Sequence, residues 1–143
     1  IQTISYDKIN QLRHVRFFNG NVEGIYERMT KLAEFMRPKF DALLQLFDEE
    51  LRGLEIGTWT KPNGGYFISF DAMEGCAKEI VAKCKEAGVT LTGAGATFPY
   101  GKDPQDSNIR IAPSYPELDE LMEAAKIFVL CVKLVSVKKI LGK

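Results

Sequence analysis

From Val22 to Leu51 an apolar residue returns every three or four positions, through Ile25, Met29, Leu32, Met36, Phe40, Leu43 and Phe47, with charged residues between them. That period lays one apolar stripe along a helix, and it is the strongest periodicity in the chain. A straight helix over this span would be about 45 Å long, against a radius of gyration of about 15 Å for a compact chain of this size. The helix is therefore expected to overhang, bend or connect two bodies. Pro38 lies inside the pattern, where it deletes one backbone hydrogen bond and pushes on the Glu34 carbonyl, so a kink is expected there. The stripe reads as core packing rather than a coiled-coil seam, because its register drifts and Pro38 interrupts it. Arg52-Gly53 supplies the stop.

The remaining elements are shorter. Ser5 is the expected N-cap of a first helix that carries Ile9, Leu12 and Val15 and ends at Asn19-Gly20. Residues 56–60 and 66–70 read as two strands of a hairpin around the turn Lys61-Pro-Asn-Gly-Gly65. A helix over 77–87, stopped by Gly88, is followed by a predicted strand over 89–92 and a long Gly/Pro/Asp-rich loop over 93–107. Residues 108–112 return as a strand. Ser114-Tyr-Pro-Glu117 has capping-box spacing and opens a last helix from about Tyr115 to Val137. Its segment 127–135 carries one charge, Lys133, so burial on more than one side is expected. This order predicts an α/β (α+β two-layer) fold, with a small mixed β-sheet, helices mainly on one face and the long helix near the N-terminus.

Composition narrows the function classes. The 143 residues include 19 basic and 19 acidic side chains, for a formal net charge of zero, and 45% are apolar. Such a chain can build a core without disulfides or a structural metal. The neutral balance lacks the basic stripe that a phosphate backbone requires, so no nucleic-acid partner is expected. No apolar run approaches the length of a membrane span. Cys76, Cys84 and Cys131 are an odd number without CxxC spacing, which fits a reducing, cytoplasmic compartment, and Cys131 reads as a small core hydrophobe. His14 is the one histidine, which leaves metal sites and histidine-based catalysis without ligands or a base, and no metal is expected. The chain starts at Ile1 without a signal-like segment and is expected to be a fragment.

Few residues then carry candidate chemistry. Gly93-Ala-Gly-Ala completes no phosphate-binding glycine motif and reads as a turn. Asp48-Glu49-Glu50 and Glu117 to Glu123 read as solvated helix faces, so no carboxylate is singled out as a catalytic acid. Arg110 differs: in Ile109-Arg110-Ile111 the isoleucines point to one face of a strand and the guanidinium to the other. An arginine on a strand presents a planar fork suited to a carboxylate, although a surface salt bridge is the commoner use of such a residue.

Several segments together, Thr3–His14, Lys61–Phe67, Gly88–Thr92, Gly93–Asp103 and Ser107–Ala112, resemble the C-terminal part of fold-type I pyridoxal-phosphate aminotransferases. The resemblance is to the aspartate-aminotransferase-like group related to the MocR regulators. Its signature is the Pro62-Asn63-Gly64-Gly65-Tyr66-Phe67 hairpin followed by an arginine on a late strand. The resemblance implies an aminotransferase small-domain-like fold in which Arg110 grips the substrate α-carboxylate and Gly64 and Gly65 bring the hairpin backbone close to the active-site mouth. It implies a domain plan of 1–20 as the trailing segment of a large domain, 21–52 as a connector helix, and 53–143 as the small C-terminal domain.

The resemblance further implies that the intact parent uses pyridoxal 5'-phosphate, bound mainly by the large domain, to move an amino group between an amino acid and a 2-oxo acid. The Schiff-base lysine and the other cofactor groups of the family would lie upstream, so this chain is expected to contribute no catalytic or cofactor-binding residue. Expected partners are the two substrates, the missing large domain and a second copy in a homodimer. Two alternatives stay open: the effector-binding module of a MocR-type transcriptional regulator, and a free-standing, non-enzymatic α+β ligand-binding domain.

Overall fold

The computed structural model describes residues 6–142. The chain divides into two compact units, 1–36 and 37–143, with the boundary next to Pro38. In the first, α1 (Lys8–Phe17) starts at Asp7, whose carboxylate accepts the Asn10 amide at 3.0 Å. The expected cap, Ser5, lies outside the described residues. Asp7 does the same work two positions on, because its oxygen reaches a free N–H of the first turn. Asn19 and Gly20 are both left-handed, and the Gly20 amide closes the helix on the Val15 carbonyl at 2.8 Å.

The second helix, α2 (Glu23–Glu50), runs through Pro38 without a break in its assignment. Its stripe is used unevenly. Met36, Leu43, Phe47 and Leu51 are buried, whereas Val22, Ile25, Met29 and Leu32 are exposed, so the expectation of core packing holds from Met36 onward alone.

The second unit is built on an antiparallel sheet in the order β1-β2-β3, from β1 (Gly57–Trp59), β2 (Ile68–Ala72) and β3 (Asn108–Ile111). Period-two alternation sends Ile68, Phe70, Ile109 and Ile111 to one face, where they are buried. Phe47 of α2 and Phe128 of α4 (Leu118–Ile140) meet Phe70 there at ring-centroid distances of 5.6 and 5.1 Å. Helix α3 (Ala77–Glu86) closes the same core with Ala77, Ile80 and Cys84. The layer is tight: a Cβ on Gly57 would stand 2.6 Å from the Phe70 ring. One face of the sheet is thus covered by helices, as the hydrophobic pattern predicts.

Three expectations are corrected. Residues 89–92 form no strand, so the sheet is antiparallel throughout rather than mixed. Val89 and Leu91 alternate because they pack against the core, not because a neighbouring strand pairs with them. The Ser114…Glu117 capping box does not form either, and α4 begins at Leu118 without a side-chain cap. Lys39, a buried residue of α2, instead donates Nζ to the Ser114 and Pro116 carbonyls at 3.2 and 2.6 Å and holds that turn. Finally, α4 is not covered all round. Phe128, Val129, Val132 and Val135 are buried, but Leu130, Leu134, Val137 and Leu141 remain exposed as a stripe.

Candidate functional site

The uncovered face of the sheet is polar. Ser69 and Asp71 of β2 and Asn108 and Arg110 of β3 share it by alternation, with Ser69 directly opposite Arg110 and Asp71 opposite Asn108. Phe67, two residues before Ser69, follows the same parity. Its ring lies under the Arg110 guanidinium, with Cζ 4.5 Å from the ring centroid.

Arg110 itself is half-buried, and its Nε is buried with no hydrogen-bond acceptor. Among the described residues no carboxylate pairs with it; the ion pairs of the chain lie elsewhere. The surface salt bridge left open by the sequence is therefore not what this arginine makes. Arg110 is thus a charged, planar fork on a polar sheet face with no carboxylate partner among the described residues.

Beside it, Asn108 is almost fully buried and uses its whole amide. Nδ2 donates to Ser69 Oγ at 2.8 Å and to Asp71 Oδ1 at 2.7 Å, while Oδ1 accepts from Thr97 Oγ1 at 2.6 Å. Thr97 belongs to the long loop over 93–107, so the network ties that loop to the sheet face that carries Arg110. The far end of the loop is held by Asp103, whose carboxylate accepts the amides of Ser107 and Asn108 at 2.8 Å each and of Gln105 at 3.0 Å. These amide donors, Asn108 first, hold its carboxyl below the usual carboxylate range against a smaller opposing effect of burial. The loop contains only a single 3₁₀ turn at Pro99–Gly101, and Gly93-Ala-Gly-Ala is a turn, as read.

Gly64 and Gly65 sit in the exposed loop between β1 and β2, two or three residues before Phe67. Gly65 is left-handed (φ +93°), which a side chain would resist; Gly64 is not, and both have open space where a Cβ would stand. The loop is tethered to α2 by Lys61, whose Nζ lies 2.8 Å from Asp48 Oδ2, and Arg52 shares the same oxygen. Asp48, read as part of a solvated helix face, is thus a structural anchor of the hairpin. Cys76, Cys84 and Cys131 are all buried and free, and burial together with the neighbouring Cys131 thiol pushes Cys84 up to about 12. Such thiols are inert, in keeping with the reading of Cys131 as a core hydrophobe.

Sequence reasoning singled out Arg110, Gly64 and Gly65 but missed Phe67, Asn108 and Asp103. Parity alone places Asn108 on the Arg110 face; nothing in the sequence predicts the register that brings Phe67 under the guanidinium.

The family model described as aspartate amino-transferase matches residues 1–143. The aspartate aminotransferase of Corynebacterium glutamicum is 42% identical over 134 residues, which are 94% of this chain and 31% of that protein. The crystal structure of an aspartate transaminase from the same organism superposes with a TM-score of 0.87 at 40% identity, covering 96% of this chain and 32% of the other. The kynurenine aminotransferase of Pyrococcus horikoshii, solved in complex with PMP, gives 0.68 at 26% identity over 82% of this chain and 28% of that one. The chain spans about a third of the length of these relatives. Among the described residues no helix is long and apolar enough to cross a membrane.

Proposed function

The chain belongs to the aspartate amino-transferase family, and from that premise we propose that it is the C-terminal portion of a pyridoxal-phosphate-dependent aminotransferase whose substrate carboxylate it holds through Arg110. The parent would move an amino group between an amino acid and a 2-oxo acid. The observation that carries the role of Arg110 is a guanidinium on the polar sheet face that pairs with no carboxylate among the described residues. A substrate carboxylate would match its charge, in the bidentate geometry that a fork imposes.

The rest of the assignment follows the same premise. Residues 1–20 would end a large domain, 21–52 would connect, and 53–143 would form the small domain. Gly64 and Gly65, with no side chains and open space around them, would let the hairpin backbone approach the substrate mouth. Pyridoxal phosphate needs an amine free to link to it. Lys39, the one buried lysine among the described residues, commits its ammonium to the Ser114 and Pro116 carbonyls, so no buried lysine among them is left for that link. We assign cofactor binding to the remainder of the parent, together with a homodimeric assembly. The enzyme reading is favoured over a regulator's effector module because the 42% identical relative is itself an aspartate aminotransferase.

The test is Arg110→Lys in the full-length parent. Lysine keeps the charge but loses the two parallel hydrogen bonds, so kcat/KM for an amino acid is expected to fall at least about tenfold. The absorbance of the bound cofactor should be unchanged, since Arg110 is not expected to touch it. An unaltered kcat/KM would overturn the assignment.

A further inference from the structure

We propose that Phe67 is a positioning residue for Arg110: its ring sets the plane in which the guanidinium fork meets the substrate carboxylate. The inference rests on the carboxylate-binding reading of Arg110. The guanidinium carbon stands 4.5 Å over the Phe67 ring, inside the range of about 6 Å over which a ring quadrupole attracts a cation. The ladder explains the meeting, because Ser69 is the register partner of Arg110 and Phe67 is the next residue of β2's polar parity. Diagonal neighbours on one sheet face lie within reach of long side chains.

Phe67 is 46% exposed and stands outside the apolar core cluster. Standing apart from the core, the ring has the Arg110 cation as its aromatic-face neighbour. The geometry also divides the guanidinium sensibly. The flat face rests on the ring, which leaves the outer N–H edge of the fork for a planar acceptor. Stacking uses the face and carboxylate recognition uses the edge, so the two do not compete. An unsupported arginine would have to freeze its rotamers each time substrate binds; a stacked one is ordered beforehand. In this proposal Phe67 acts through Arg110, the group it contacts.

The experiment compares the full-length parent with Phe67→Leu, Phe67→Tyr, Arg110→Lys and the Phe67→Leu/Arg110→Lys double variant. Steady-state kinetics are measured with an amino acid and with the amine that lacks its carboxylate, and a thermal melt is recorded for each protein. Loss of a partly exposed cation–π contact is expected to raise KM for the amino acid about three- to tenfold in Phe67→Leu, with kcat within about twofold. Tyrosine retains the aromatic face and should restore the parent KM. The amine should react equally well in parent and Phe67→Leu, the melting midpoint should not move, and the leucine change should add less than about twofold once Arg110 is lysine. An equal loss with the carboxylate-free amine, or full additivity in the double variant, would overturn the role of Phe67. A neutral Phe67→Leu beside an impaired Arg110→Lys would also remove it, while leaving the assignment of Arg110 intact. An unimpaired Arg110→Lys would remove both.

Discussion

Asp48 shows how much a single side chain can contribute to the placing of a site it never touches. Its Oδ2 bonds to Arg52 and to Lys61, and the latter belongs to the hairpin loop that leads to Gly64, Gly65 and Phe67. The Arg52 bond first, then the Lys61 bond, hold the carboxyl at about 2, below its ordinary value of 3.8. Because the folded value is the lower one, the contribution to stability is complete above about pH 4 and is lost as pH falls from about 4 towards 2. A carbon-detected NMR titration of Asp48 is therefore expected to show a midpoint near 2, with amide exchange of residues 61–67 rising once the group protonates. A midpoint at the ordinary carboxylate value would show that the tether does not hold in solution. Salt should weaken the effect, since both partners are largely exposed. Arg110, by contrast, was legible beforehand, because a charge between two isoleucines in a short strand must face away from the core. Its freedom from salt bridges was not, since that depends on which acidic residues the fold brings near.

Among the elements, the loop over 93–107 is the one whose order depends most on side chains. Helices α2 and α4 declare themselves through their own periodicity and backbone bonds, but the loop has a single 3₁₀ turn and is held by Asp103 at one end and Thr97 at the other. Asp103→Asn keeps the size of the group and replaces one acceptor oxygen with an amide that points its own hydrogens at backbone N–H donors. Hydrogen exchange at Ser107 and Asn108 is expected to quicken several-fold, and so at Ala77 and Lys78, whose amides bond to Asp106, with protection in the later turns of α3 unchanged. Equal loss of protection in the later turns of α3 would mean that Asp103 stabilises the unit globally rather than pinning this loop. The failed strand at 89–92 belongs to the same level. Its alternation is real, but Val89 and Leu91 use it to pack, and a ladder needs a partner edge that a one-dimensional pattern cannot supply.

For the molecule as a whole, the first unit leaves most of its described apolar positions open. No residue of α1 is buried, and Ile9, Leu12, Val15 and Phe17 of α1, with Val22 just before α2 and Met29 on it, are all more than half exposed. The family relatives are about three times longer, so these positions have further chain to meet in a full-length protein. At about 25 cal/mol per Å², an uncovered stripe of several hundred Å² favours association by several kcal/mol. Expressed alone, the chain is expected to self-associate, with the long helix offering a surface on which two copies can pack across a two-fold axis. Sedimentation equilibrium over a wide concentration range checks this. A strictly monomeric chain with well-protected amides from Val22 to Phe47 would show that the stripe is covered from within.

The helices, the hairpin and the outward face of Arg110 were readable in advance because their signals are local: a 3.6-residue period, a two-residue alternation, a glycine or proline at a stop. Capping was half readable, since a candidate acceptor can be seen in the sequence but the tertiary contact that fixes the turn cannot; Lys39 donates to the turn before α4 from 75 and 77 residues away. The uneven use of the α2 stripe and the exposed side of α4 were hidden for a similar reason, because an apolar face says that it can be buried and not what lies opposite. The site belongs to the fold in the same sense. Ser69 faces Arg110, Phe67 lies under it and Asn108 joins the loop to both strands because of one register in one ladder, and a register is a relation between distant segments that neither segment encodes on its own.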